Sequence, residues 1–175
     1  MTQTEFIISA TSLYPLVPDG IKAYIQASSK RQLSELAVFD LAISNNQPLR
    51  SAGGIYIFFD KNNDCLYVGK ATSRSFIERI PAHFDPRQYA WFATFPNRVL
   101  SHNLTTDYSS ALDFCRHCSI LLIQFPSNED CKKYAANLES YLRTLIEPRF
   151  NCNKRPRLIP GDEILGTYLK ITEYC

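Results

Sequence analysis

Apolar and polar positions alternate with a period of two most clearly between residues 54 and 71. Ile55, Ile57 and Phe59 interleave with Tyr56 and Phe58, while Leu66 and Val68 interleave with Cys65 and Tyr67. The polar DKNND run between the two segments is a turn signal, so the stretch predicts a β-hairpin. Directly opposed residues of an antiparallel pair share a face. A register of Ile57 against Leu66 and Ile55 against Val68 sets Tyr56 against Tyr67, with both phenols on the face away from the aliphatics.

The rest of the chain divides by period. CSILLIQF, 118–125, is an unbroken apolar run closed by Pro126 and predicts a buried strand. Helical spacing appears in three places. Asp19 precedes GIKAYIQAS, and Leu33, Leu36, Ala37, Phe39 or Asp40, and Ile43 recur at roughly helical intervals, so the first fifty residues read as mainly helical. Ser75 with Glu78 three residues later resembles a capping box opening a helix in ATSRSFIERIPAHFD. Pro81 is awkward there and predicts a late start or a kink. From Ser127 or Asn128 to about Glu147, a stripe of Ala135, Leu138, Leu142, Leu145 and Ile146 predicts a long helix that Pro148 ends. Residues 85–116, with Tyr89, Trp91, Phe92 and Phe95, read as an irregular insertion with a short strand.

These elements predict an α+β fold: a small, mostly antiparallel three-stranded central sheet flanked by helices, with an N-terminal helical extension. NNQPLRSAGG breaks the pattern at Pro48 and Gly53-Gly54. The expected divisions are 1–52 for the extension, 53–157 for the principal domain and 158–175 for a tail packed upon it. At 175 residues and 45% hydrophobic, the chain can bury a core of its own. It contains no run of eighteen apolar residues, which excludes an apolar membrane-spanning helix. The start lacks a basic lead, which argues against a secretory signal and makes the cytoplasm the expected compartment.

Charge and cysteine content change this picture little. A formal net charge of +2 is low for a nucleic-acid binder, so only a local basic concentration could serve that role. Arg149, Lys154, Arg155 and Arg157 form one, and Lys30-Arg31 is a smaller second. The six cysteines are scattered rather than spaced as a disulfide framework. Cys115-Arg-His-Cys118 alone has ligand-like spacing, with no second close pair to complete a zinc site.

Five short elements, in order, resemble the GIY-YIG nuclease superfamily. Gly54-Ile55-Tyr56 and Tyr67-Val68-Gly69-Lys70 match its two hairpin motifs, with Val68 where Ile is usual. Arg79 follows on a helix, Glu139 lies on a later one within ANLESYLRTLIEPRFN, and Pro148-x-x-Asn151 closes the pattern. The similarity covers about residues 53–157. YVGKA is similar to the nuclease domain of the excision-repair incision subunit. Arg79-x-x-x-His83, with Asn151 twelve positions after Glu139, resembles the small restriction endonucleases of the superfamily.

The resemblance implies a metal-dependent endonuclease acting on DNA. Its catalytic residues would be Tyr56, Tyr67, Arg79, His83, Glu139 and Asn151. Lys70, Arg149, Lys154, Arg155 and Arg157 would contact substrate. Glu139 would be the metal ligand for magnesium or manganese, since hard cations take oxygen ligands and magnesium keeps several waters. A phenol has a pKa near 10 and serves as a base only where positive charge favours the phenolate, a role open to Lys70, Arg79 and the metal. Tyr56 would activate water, with Tyr67 on the phosphate or the water, and the reverse assignment stays open. Arg79 would offer its fork of donors to the transition state. His83 would relay a proton or hold the leaving oxygen. Whether two copies pair decides nicking against double-strand cutting, and the N-terminal helices are the candidate homodimer surface.

Each residue also has a plainer role: Glu139 as a surface i,i+4 partner of Arg143, the tyrosines as cross-strand packing, Arg79 as a solvated side chain, and Asn151 as a post-helix turn residue. Two rival readings follow. One is a non-catalytic nucleic-acid- or protein-binding module on the same scaffold. The other is a zinc-stabilised interaction domain using Cys115, His117 and Cys118.

Overall fold

The computed structural model describes residues 6–41, 43–44, 47–48, 54–90, 94–125 and 134–170. Its strands are β1 (Ile7–Ser9), β2 (Arg31–Gln32), β3 (Ile43–Ser44), β4 (Gln47–Pro48), β5 (Gly54–Phe59), β6 (Cys65–Ala71) and β7 (Ser119–Gln124). Its α-helices are α1 (Pro18–Ala27), α2 (Phe76–Ala82), α3 (Thr94–Ser101), α4 (Tyr108–Arg116), α5 (Ala135–Ile146) and α6 (Leu165–Tyr168). The fold is α+β. Gly53, Trp91, Phe92, Pro126, Cys131, Cys175 and the expected helix start near Ser127 lie outside the described residues.

The sheet differs from the expected three antiparallel strands. It is mixed and five-stranded, in the order β1-β7-β5-β6, with β2 also paired to β7. β7 is apolar on both faces and lies inside the sheet, so both of its edges need backbone partners. β5 supplies one antiparallel edge. The other is shared by β1, running parallel at Ile7 to Ser9, and β2, running antiparallel at Arg31 and Gln32. Strands of three and two residues are too short to register as a period. The N-terminal residues thus extend the sheet rather than forming a purely helical addition.

α1 forms where expected. Pro18 occupies its first turn with Asp19 beside it, and Ile21 and Ile25 turn inward one turn apart. The helical spacing of 33–43 does not become an α-helix. Two 3-10 turns, Leu33–Glu35 and Val38–Leu41, stand there, separated by an extended Leu36. The Asp40 carboxylate accepts the Ala37 N–H at 2.8 Å, a local bond that competes with helix propagation. The expected irregular insertion is likewise corrected. Residues 94–116 carry α3 and α4, the latter capped by Asp107 accepting from the Ser110 N–H at 2.8 Å.

Alternation in β5 and β7 splits the core into two layers. Tyr56, Phe58, Ile120 and Leu122 face α2, α3 and α4, packing with Phe76, Phe95, Val99 and Cys115. Ile55, Ile57, Phe59, Leu121 and Ile123 face α1, α5 and α6, packing with Ile21, Leu138, Leu142 and Leu165. Both faces of the sheet are therefore covered. No helix among the described residues is long and apolar enough to cross a membrane.

Candidate active site

The hairpin register places the phenols. Tyr56 stands opposite Gly69 and Phe58 opposite Tyr67, two residues from the expected alignment. A two-residue slip preserves the faces, since side chains alternate with period two. The rings of Tyr56 and Tyr67 are near-parallel, 6.1 Å between centroids and 18° between planes. Gly69 makes this register possible. A Cβ there would lie 2.3 Å from Cζ and 2.4 Å from the oxygen of Tyr56, so the ring lies across the space a side chain would fill. Gly54 is held as closely, its absent Cβ facing the Ile123 carbonyl and the Phe76 ring, both at 2.4 Å.

α2 brings Arg79 and His83 to the same phenol. Ser75 and Glu78 complete the capping box, Glu78 Oε2 accepting from the Ser75 N–H at 2.8 Å. Pro81 neither delays nor displaces this helix. α2 ends one residue beyond it, and the chain closes in tighter turns, His83 N–H to Ile80 O and Phe84 N–H to Pro81 O. The expected conflict is resolved by shortness. Arg79 and His83, four residues apart, present one helix face to the sheet.

His83 is fully buried. Its Nε2 lies 2.7 Å from the Tyr56 hydroxyl, and its Nδ1 is hydrogen-bonded to Thr94 Oγ1 at the start of α3. The Arg79 guanidinium stands near enough to the Tyr56 phenol to favour its negative form. Burial pushes the Tyr56 phenol above its ordinary pKa, Tyr67 and Glu139 add to the rise, and Arg79 only partly opposes it. Without a metal, desolvation outweighs the guanidinium and favours the neutral phenol. Burial, reinforced by Arg79, pulls the His83 imidazole down to about 3. Phenol and imidazole are both neutral near pH 7.

Glu139 approaches from the other layer. Lys70 alternates with Gly69 on the edge strand β6, and its Nζ lies 3.2 Å from Glu139 Oε2. Arg143 Nη2 lies 2.6 Å from Glu139 Oε1. The same guanidinium donates through Nε and Nη2 to the Val68 carbonyl at 3.2 and 3.1 Å. Arg143 thereby fastens α5 to β6 and is more than a solvated i,i+4 partner. Asn151 completes the edge. Its Oδ1 accepts from the Val68 N–H at 3.1 Å, and its Nδ2 donates to the Val68 carbonyl at 2.6 Å.

Tyr56, Tyr67, Arg79 and His83 are thus gathered on one side of β6, with Lys70, Glu139 and Asn151 at its open edge. Arg149, Lys154, Arg155 and Arg157 are exposed. The Arg149 N–H bonds the Cys65 carbonyl at the far end of β6. Arg157 lines a groove of about 990 Å³ with Lys22, Thr144 and Glu147, between α1 and the end of α5. Lys30 caps α1, donating to the Ile25, Gln26 and Ser28 carbonyls at 3.0 to 3.1 Å. Cys115 and Cys118 are buried in the core, their thiols pushed up chiefly by desolvation, and His117 Nδ1 bonds the Asp113 carbonyl. Thr94 and Arg143 were not legible as site residues. Thr94 opens α3 inside the segment expected to be an irregular insertion, and the reach of Arg143 to Val68 spans 75 positions.

Among the described residues, no three His, Cys, Asp or Glu side chains gather around a common point. The donor set is instead one largely buried carboxylate at a strand edge. That fits magnesium or manganese, which take one protein carboxylate with water and phosphate oxygens completing the shell. Lys70 and Arg143 use two of the roughly four lone-pair directions of Glu139. Comparison of the chain with family models, with curated proteins and with solved structures found no match.

Proposed function

We propose that this protein is a metal-dependent endonuclease that hydrolyses phosphodiester bonds in DNA. The observation that carries the reading is the convergence on Tyr56 of Arg79 and His83 from α2, beside a β6 edge where Lys70 meets Glu139. Packing alone gives no reason to bury an imidazole and a phenol against a guanidinium.

A phosphate at the open side of β6 would meet positive charge from Arg79 and Lys70. Arg79 suits the developing charge of the transition state because its planar fork can bond two equatorial oxygens. A divalent cation held by Glu139 supplies neutralisation of phosphate charge and polarisation of the phosphoryl group. Tyr56 takes a proton from the attacking water as it passes its own to His83 Nε2. The two transfers are concerted, so the buried phenol never becomes a free phenolate. An arriving phosphate also offsets the Arg79 charge that depresses His83, which strengthens the imidazole as the final acceptor. Tyr67, stacked beside Tyr56, orients the phosphate or the water. Asn151 holds Val68, and with it the strand that carries Tyr67 and Lys70.

The test is incubation of purified protein with supercoiled plasmid and magnesium or manganese. Nicked or linear product is expected, and sequencing its ends reports specificity and cut geometry together. No cleavage with several divalent metals and substrates overturns the reading. DNA binding without cleavage, unchanged by Glu139→Ala, supports the non-catalytic module instead.

A further inference from the structure

The hydrogens around Tyr56 can be assigned one by one. Arg79, the cation beside the phenol, has no acceptor to offer the phenolic hydrogen. The phenol is fully buried, so its own hydrogen needs an acceptor inside the protein. His83 Nε2, 2.7 Å away, is positioned to be that acceptor. Nε2 must then be bare. A neutral imidazole carries its single hydrogen on the other nitrogen, Nδ1, whose bonded neighbour is Thr94 Oγ1.

We propose that Thr94 is a positioning residue whose hydroxyl accepts the Nδ1–H of His83, fixing the tautomer whose bare Nε2 faces the Tyr56 phenol. The alternative tautomer would point an N–H at the phenol and leave the buried phenolic hydrogen without a protein acceptor. Burial keeps the imidazole neutral, so tautomer choice rather than charge sets the direction of the Tyr56–His83 bond. Thr94 opens α3, and Phe95 and Val99 anchor that helix in the core beside Phe58, so the hydroxyl is carried on a rigid element.

The chemical use of this arrangement rests on the nuclease reading. In the step, the water oxygen bonds phosphorus as the bond from phosphorus to the leaving oxygen breaks. That leaving oxygen departs with the electron pair and takes a proton from solvent. The proton of the attacking water passes to the Tyr56 oxygen as the Tyr56 proton passes to Nε2. The imidazole becomes an imidazolium whose Nδ1–H remains on Thr94. The tautomer itself does not depend on that reading.

The experiment is nitrogen NMR of full-length protein carrying ¹⁵N-histidine, with the three histidines assigned by single replacement of His102 and His117. The wild type is expected to show His83 protonated at Nδ1 and bare at Nε2 at neutral pH. Thr94→Val should shift His83 toward the Nε2–H form, and Thr94→Ser should restore the wild-type pattern. A wild-type Nε2–H tautomer, or a Thr94→Val spectrum identical to wild type, overturns the proposal. If the protein cleaves DNA, Thr94→Val should lower kcat at least tenfold with little change in KM, and Thr94→Ser should recover most of it. Absence of cleavage in the wild type removes the nuclease reading and leaves the tautomer assignment to the spectra.

Discussion

Gly69 and Tyr56 are paired across the hairpin, and the missing side chain of the first is the space occupied by the ring of the second. Neither residue can be understood without the other. The glycine is required by a close approach, not by an unusual backbone angle.

Gly69→Ala should therefore push the Tyr56 ring off His83. Overpacking of a tight core costs about 1–3 kcal/mol, and a drop of that size in urea denaturation is the expected outcome. The His83 ring nitrogens should shift in the same variant. An alanine variant with wild-type stability and spectrum would show that the ring has room to spare.

Asn151 satisfies both outward backbone groups of Val68. Asn151→Ala leaves the Val68 N–H without its protein partner while Arg143 still holds the carbonyl, at a net cost of about 0.5–1.5 kcal/mol. Chemical denaturation measures the loss, and hydrogen exchange at the Val68 amide should quicken locally. Unchanged exchange would place the weight of that edge on Arg143.

His83 makes stability depend on pH in a stated direction. Its folded pKa, about 3, lies below the ordinary value of 6.5, so the unfolded chain binds the extra proton. Stability from this residue is complete above about 6.5 and falls as pH drops toward 3, with a maximal slope near 1.4 kcal/mol per pH unit. Asp85, lowered to about 2 by Arg87, destabilises in acid in the same sense. The comparison of wild type with His83→Gln isolates the imidazole: the glutamine variant should lose slope between pH 6.5 and 4.

Lys70 competes for the carboxylate that would hold a cation. Lys70→Met should raise manganese affinity of the DNA-free protein by about two- to fivefold, the worth of a partly exposed ion pair. Glu139→Gln should abolish binding while Arg143 still holds Val68, leaving the fold intact. Electron paramagnetic resonance of added manganese reads both. Equal affinity in Lys70→Met and wild type would separate Lys70 from the metal site.

Much of the site was open to reading because it is local. The alternation around Tyr56 and Tyr67, the Ser75–Glu78 cap and the stripe on α5 each depend on neighbours within a few positions. The register lies two residues from the expected one because alternation specifies a face but not an alignment. What set the alignment was the fit of the Tyr56 ring over Gly69, a contact between two strands.

From the residues alone came the hairpin, the shared face of the phenols, α1, α2, β7, α5 and the order of the motif elements. Tertiary structure alone decided that β1 and β2 complete the sheet, because strands of three and two residues carry no period and exist only as partners for an unsatisfied edge. It also decided that Tyr56 keeps its proton without a metal, since desolvation is a property of the packed interior and outweighs the Arg79 charge. The bonds of Thr94 to His83 and of Arg143 to Val68 join elements distant in the chain, so only folding could bring them into being.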